Sequence, residues 1–528
     1  MREQERRRRK EELARLRGEA QSLRKDPFAT RPSMLRSLLG RPQGWSGQDS
    51  GRWGVIDAPK EWRGTSNQVC GLWPWVVGAG APTLGTYIGD HLLTAAPVCF
   101  DPLTWFHVGK LINNPSAFVL GLPGLGKSSL VRKVVTGAVA QGVTPLVLGD
   151  KKPDYGDQVR AFGGQVINLS RGEGHLNPLD PGALGSIIPI LAAHGLEREA
   201  TRVKARMQAQ RVNLVSALLT IIRRSPITET DEAMLVRAID MLDSDPRFAD
   251  RAPLLQDLID LLHREDHTDL WDLAEAESKE EFWAAVKPLR SSLKALLQGA
   301  LGDVFAHHTT HPIDVDSVGV CVDVSGIPDT DSRLLAAVML AVWACGFDAV
   351  EAAHTLADNG LGPQRHFLVV MDELWQVLGA GPGMVEKVDA LTRLNRTLGL
   401  SLMLISHTPK DLDALRDPVD VAKALGFIER AGVLICGGLP DSDLERLEGV
   451  VHFTNVEKGM VSAWSTPPTW DADRGVERPP PGRGRFLLKI GHRPGIPVVT
   501  KFTGAEFKSD IHNTNKRFDN LRTGADAS

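Results

Sequence analysis

The segment Gly121-Leu122-Pro123-Gly124-Leu125-Gly126-Lys127-Ser128 constrains this chain more than any other part of it. Glycines at this spacing let successive backbone N–H groups turn inward around an anion, and a helix that follows adds partial positive charge at its N-terminus. Both flanks suit that geometry. Ser116 to Leu120 (SAFVL) reads as a short buried strand. Lys127 to Ala140 carries apolar residues at Leu130, Val131, Val134, Val135, Ala138 and Val139, one face of a helix. The pattern is that of a phosphate-binding P-loop. The backbone of residues 121 to 126 and Ser129 would cradle phosphates, Lys127 would reach the β- and γ-phosphates, and Ser128 would ligate Mg²⁺. ATP and Mg²⁺ are therefore the expected cofactors, and ATP hydrolysis the expected reaction.

Around this unit, strands and helices alternate. Strand signals lie at 145–148, 165–169, 318–324, 367–371, 401–405 and 432–436. Alternation of this kind implies an α/β fold with a mostly parallel sheet covered on both faces. Between about 184 and 305 strand signals vanish and helical periodicity takes over, which reads as an all-helical insertion. The expected organisation is a basic arm at 1–26, a small Trp/Gly/Pro-rich domain at 27–112, and the ATPase core at 113–183 and 306–470 around the insertion at 184–305. A Pro/Gly/Arg linker and tail would occupy 471–528.

Acidic residues complete the expected site. His366 to Leu374 (HFLVVMDEL) runs five apolar residues into Asp372-Glu373, so both carboxylates fall at the C-terminal end of a buried strand, the ligand-binding edge of such sheets. Asp372 would hold Mg²⁺ through water, and Glu373 would orient or deprotonate an attacking water. Asp150-Lys151-Lys152-Pro153-Asp154-Tyr155 follows the second strand, and Ser406-His407-Thr408 follows a later one. Each is either part of the site or an ordinary polar loop.

The collinear order of P-loop, Asp150 with Asp154-Tyr155, His175-Leu-Asn-Pro-Leu-Asp180, helical insertion and Asp372-Glu373-Leu374-Trp375, followed by a strand ending in small polar residues, resembles the conjugation and type IV secretion ATPases. These are the TraC-like and VirB-family members of the HerA–FtsK clade, and the resemblance spans about residues 100–470. It implies a RecA-like core, assembly as a homo-hexamer, and ATP hydrolysis that powers conjugative DNA transfer or a secretion-like apparatus. Inner-membrane channel proteins, and DNA, are the implied partners. Asp154 stands where the clade usually has Glu, and His407 where it usually has Gln. The long N-terminal domain typical of the VirB family is not evident.

A ring ATPase needs a cation from the neighbouring subunit to offset charge at the γ-phosphate. Arg393 and Arg396 are the candidates and read equally as solvated helix residues; Arg483 and Arg485 are a weaker alternative. His307, His308 and His311 lack a completing ligand pattern and read as a polar loop. The irregularly spaced Trp45, Trp53, Trp62, Trp73 and Trp75 read as packing.

Charge and cysteine content set the surroundings. Residues 1–25 hold ten Arg and Lys against five Glu, so the formal charge of −4 conceals a positive arm and an acidic remainder. The arm is either solvated chain or a patch for anionic lipid, nucleic acid or a partner. The acidic remainder counts against a free HerA/FtsK-like double-stranded DNA translocase, the first competing reading. The second is an ATP-dependent assembly scaffold with slow turnover. Five scattered cysteines without a CxxC pair fit a reducing compartment. Gly71 to Gly89, broken by prolines and glycines, does not read as a bilayer span. No leader and no integral membrane segment are expected, and the expected location is cytoplasmic, peripheral at the inner face of the cell membrane.

Overall fold

The computed structural model describes residues 81–512 except 171, 265–267, 329, 380–383, 386–387, 390–398, 414–417, 472–475 and 510. The basic arm, residues 27–80 of the expected N-terminal domain, and Arg393 and Arg396 lie outside the described residues.

The chain from Ala79 onward is organised around an 11-stranded sheet. In chain order its first strands are β1 (Tyr87–His91), β2 (Pro97–Cys99), β3 (Ser116–Leu120), β4 (Thr144–Asp150) and β5 (Gln165–Asn168). After the helical insertion come β6 (Val320–Asp323), β7 (Phe367–Met371), β8 (Leu400–Ile405) and β9 (Val433–Cys436). A separate hairpin, β10 (Thr469–Asp471) with β11 (Val476–Arg478), precedes β12 (Arg485–Lys489) and β13 (Ile496–Thr500). The order across the sheet is β2-β1-β13-β12-β9-β3-β8-β7-β4-β6-β5. From β9 to β5 every pairing is parallel. From β9 to β2 every pairing is antiparallel.

This is the mostly parallel α/β core that the alternating pattern predicts. Its central strands are buried throughout, SAFVL in β3 and FLVVM in β7, as a parallel sheet covered on both faces requires. Strands β1 and β2 fall within the stretch expected to form a separate N-terminal domain, and β12 and β13 within the expected linker and tail. All four extend the main sheet, with Gly89 paired to Thr500. Strand character at 486–490 and short strand-like pieces within 27–100 are visible in the sequence, but the pairing of β1 with β13 joins segments about four hundred residues apart and leaves no local signal.

Residues 182–305 carry helices at Gly182–Ala193, Glu197–Arg223, Glu229–Ser244, Leu255–Leu261, Thr268–Leu273, Lys279–Leu296 and Gly299–Phe305. The third starts at a capping box, Thr228 and Asp231 each satisfying the other's backbone N–H. Most of their apolar faces join the same core cluster as β4, β6 and β7, while Leu184, Ile187 and Leu191 of the first pack with Ala200, Val203 and Met207 of the second in a cluster of their own. Between that insertion and the sheet runs the helix Ser332–Asp358, 27 residues with mean hydropathy 1.8 over its most apolar window. Its length and composition would let it cross a membrane, but 83% of that window is buried inside the fold. Trp343 is fully buried there and donates its indole N–H to Leu148 O at 2.7 Å. Each buried Leu or Val of this helix contributes about 1.5–3 kcal/mol.

Candidate functional site: a nucleotide-binding edge

Four neighbouring parallel strands, in the order β3-β8-β7-β4, end at one edge of the sheet. Strand β3 runs into the P-loop, β8 into Ser406-His407, β7 into Asp372-Glu373 and β4 into Asp150-Lys151-Lys152. The shared direction of the strands thus brings the sequence-predicted residues together.

The P-loop passes between tight neighbours. A Cβ on Gly121 would lie 3.1 Å from Gly437 Cα on a backbone with φ +155°, so a larger residue there would strain the turn where β3 leaves the sheet. Gly126, at φ +97°, turns the chain into the helix beginning at Lys127. Lys127 is 7% exposed. Its ammonium donates to Gly121 O, to Leu122 O at 3.2 Å, and to His407 Nδ1 at 3.1 Å. These contacts satisfy the lysine on the loop's own carbonyls. Burial pulls its pKa down to about 8, against the pull of Asp372.

Because an ammonium can only donate, His407 accepts at Nδ1 and carries its proton on Nε2. That nitrogen lies 3.4 Å from Glu373 Oε1. Glu373 has φ +51°, a left-handed conformation unusual outside glycine, and forms the hinge between β7 and the short helix Leu374–Leu378. Lys152 Nζ stands 2.7 Å from Glu373 Oε1. Trp375 donates its indole N–H to Glu373 Oε2 at 2.7 Å. Burial works to raise the Glu373 carboxyl, yet hydrogen bonds from His407 and Lys152 hold it well below the usual range.

Asp372 accepts the N–H of Glu373 at 2.8 Å. Burial, reinforced by the charge of Glu373, pushes its carboxyl up to about 7. A carboxylate so short of compensation suits a divalent cation, which would invert that preference. Two polar atoms on this edge, Tyr155 OH and Ser406 Oγ, are buried without a hydrogen-bond partner among the described residues. The Asp372 environment, the orphaned hydroxyls and the self-satisfied lysine fit a site for a phosphate chain and its metal.

A break in the register of β4 between Leu148 and Asp150 turns Asp150 under the next loop. Its carboxylate accepts the N–H groups of Asp154 at 2.9 Å, Tyr155 at 2.7 Å and Gly156 at 3.2 Å. Burial still raises it to about 6. Asp150 is thus a staple that fixes the loop bearing Asp154, itself 9% exposed. Gly484 donates to Leu125 O at 2.9 Å, so the turn bearing Arg483 and Arg485 rests on the P-loop of its own chain. His175 packs on His307 with ring centres 4.6 Å apart, and the described residues contain no metal-binding group of His, Cys, Asp and Glu.

No family model and no curated protein matches the sequence. Solved structures do. VirB4 of Thermoanaerobacter pseudethanolicus superposes with a TM-score of 0.59 at 18% identity, over 82% of this chain and 100% of that one. The fold is that of VirB4. The plasmid coupling protein TrwB in complex with ADP and Mg²⁺ superposes at a TM-score of 0.45 and 15% identity, over 80% of this chain and 96% of that one.

Within this VirB4-like fold, sequence reasoning did not single out Lys152, nor the contact that Trp375 makes. The two lysines directly after a strand-terminal acid were the available signal for the first. It also gave no role to the segment beyond β13, which packs against the P-loop helix. There Lys133 Nζ meets Glu506 Oε2 at 2.9 Å, and Arg132 donates to the carbonyls of Asp154, Ile511 and His512.

Proposed function

We propose that the chain is an ATPase that binds ATP·Mg²⁺ on this edge and hydrolyses it to power a conjugative DNA transfer or type IV secretion-like apparatus. The observation that carries this reading is the bridge from Lys127 through His407 to Glu373, which ties the P-loop to the acidic strand end. The likeness of the fold to VirB4 supports the choice of apparatus.

Lys127, released from the loop carbonyls, would bind the β- and γ-phosphates, and the N–H groups of residues 121 to 126 with Ser129 would surround them. Ser128 and Asp372, the latter through water, would hold Mg²⁺, which when bound offsets phosphate charge. Glu373 is kept ionised by its donors and would accept a proton from the attacking water. Its fixed carboxylate avoids a reorganisation cost in the reaction. Asp154 on its stapled loop, and His407 between the two halves, complete the set. A homo-hexamer, with Arg393 or Arg396 supplied in trans, belongs to the same proposal, as does docking on inner-membrane channel proteins at the cytoplasmic face.

The test is ATP turnover of the purified chain alone, with double-stranded DNA, and with membranes carrying candidate channel proteins. Stimulation by those membranes, abolished in Glu373→Gln, is expected. Stimulation by DNA alone, steeply salt-dependent, would favour a free translocase. Absence of turnover in all three conditions would overturn the enzyme.

A further inference from the structure

Beyond the residues that the P-loop and the acidic strand end account for, one charged group in the site has no assigned task. Lys152 reaches from the end of β4 to Glu373 Oε1, and its side chain is 54% exposed while that of Glu373 is 5% exposed. The two ends of this pair differ in freedom. Glu373 is fixed by a left-handed backbone, by the Trp375 indole at 2.7 Å and by His407 at 3.4 Å. Lys152 is a flexible ammonium on a half-solvated stem, with Glu373 as its anchor in the site.

Lys152 also faces Lys127. The contacts run Lys127 to His407 at 3.1 Å, His407 to Glu373 at 3.4 Å and Glu373 to Lys152 at 2.7 Å, so the two ammonium groups stand at opposite ends of one short chain. Each is occupied by a group of the protein itself, Lys127 by loop carbonyls and Lys152 by a carboxylate. A terminal phosphate entering between them carries more negative charge than the single carboxylate that holds Lys152. The group free to move towards it is the lysine.

We propose that Lys152 is a second γ-phosphate cation, parked on Glu373 until a nucleoside triphosphate arrives and then transferred to its terminal phosphate. The transfer has one direct consequence. The chain distinguishes triphosphate from diphosphate, because a diphosphate lacks the group that draws Lys152 away. Hydrolysis and release of phosphate return Lys152 to Glu373. This inference rests on the reading that a nucleotide occupies the P-loop.

The experiment is calorimetric titration of the full-length protein with ADP and with a non-hydrolysable ATP analogue, both with Mg²⁺, so that turnover is not the readout. In Lys152→Met, affinity for the analogue is expected to fall about tenfold, the scale of one charge-assisted hydrogen bond, while affinity for ADP changes less than about threefold. Lys152→Arg keeps the discrimination. Equal changes for both nucleotides in Lys152→Met, or tighter binding of the analogue, would overturn the inference and leave the nucleotide site standing. Failure of the unmodified protein to bind either nucleotide would overturn both.

Discussion

His407 Nε2 lies 3.4 Å from Glu373 Oε1 while its other ring nitrogen takes a hydrogen bond from Lys127. The imidazole is therefore a strut with a defined tautomer, and it fixes the distance between the phosphate-binding loop and the carboxylate that would activate water. Replacing it with alanine leaves both partners in place but removes the strut. His407→Ala is expected to lower kcat by about ten- to a hundredfold, the range for a positioned polar group in the transition state, with KM for ATP changed less than about threefold. His407→Gln, which can accept at one end and donate at the other, should restore most of the rate. Steady-state ATPase kinetics on the two variants decide this; unchanged kcat in His407→Ala would remove the histidine from the mechanism.

Lys127 makes an unusual prediction for stability. It is charged, 7% exposed and satisfied by carbonyls that belong to its own loop, and burial has already pulled its pKa down to about 8. The folded chain therefore gains little from this ammonium in the absence of phosphate. Lys127→Met should show a melting temperature no lower than that of the parent without nucleotide. ATP·Mg²⁺ at a hundredfold its Kd should stabilise the parent by about 2.7 kcal/mol and the variant by none. Thermal unfolding with and without nucleotide tests both halves. A variant that still shifts with ATP would show that the phosphates bind elsewhere.

The parallel core and the two halves of the site were legible because their signals are local. Five apolar residues followed by Asp372-Glu373, and glycines leading into Lys127-Ser128, each state a strand end and its ligand group within ten residues. Lys152 was not legible, because its meaning comes from a partner on a different strand more than two hundred residues away. The pairing of β1 with β13 was not legible for the same reason, since the two segments lie at opposite ends of the described chain. The helix Ser332–Asp358 has the composition of a membrane span, and its burial between sheet and insertion identifies it as core.

A second buried pair ties the antiparallel extension to the core. Lys489 on β12 is 1% exposed and contacts both oxygens of Glu457 at 3.1 and 3.2 Å, with Arg493 O at 2.8 Å. Glu457 in addition accepts the N–H groups of Thr454 and Gly495 at 2.8 and 2.5 Å. The two partners are thus unequal. Glu457→Leu strands a buried ammonium on one carbonyl and is expected to cost about 3–5 kcal/mol. Lys489→Met leaves a carboxylate with two backbone donors and should cost less, with the double variant less destabilised than the sum of the singles. Urea unfolding of the three variants measures the cycle, and equal costs for the two singles would contradict the asymmetry.

The contact behind the P-loop helix sets an acid limit on stability. Burial would raise the Glu506 carboxyl, but the N–H of Thr503 at 2.7 Å, Lys133 at 2.9 Å and His512 at 3.1 Å outweigh it and bring its pKa down to about 2. A carboxylate whose pKa is depressed by folding stabilises the native state above its unfolded value of 4.5, and loses that contribution as pH falls towards 2. At neutral pH this is worth at most about 3 kcal/mol, reduced by solvent screening of the partly exposed carboxylate. Glu506→Gln should therefore be less stable than the parent at pH 7, with the gap narrowing to about half by pH 3 because the parent alone is losing this term. The same change loosens Lys133 on the helix that begins at Lys127, so its effect reaches the P-loop from behind. Unfolding of both proteins in urea between pH 7 and pH 3 gives the two curves. A gap that stayed constant across that range would mean that the bonds to Glu506 do not depend on its charge.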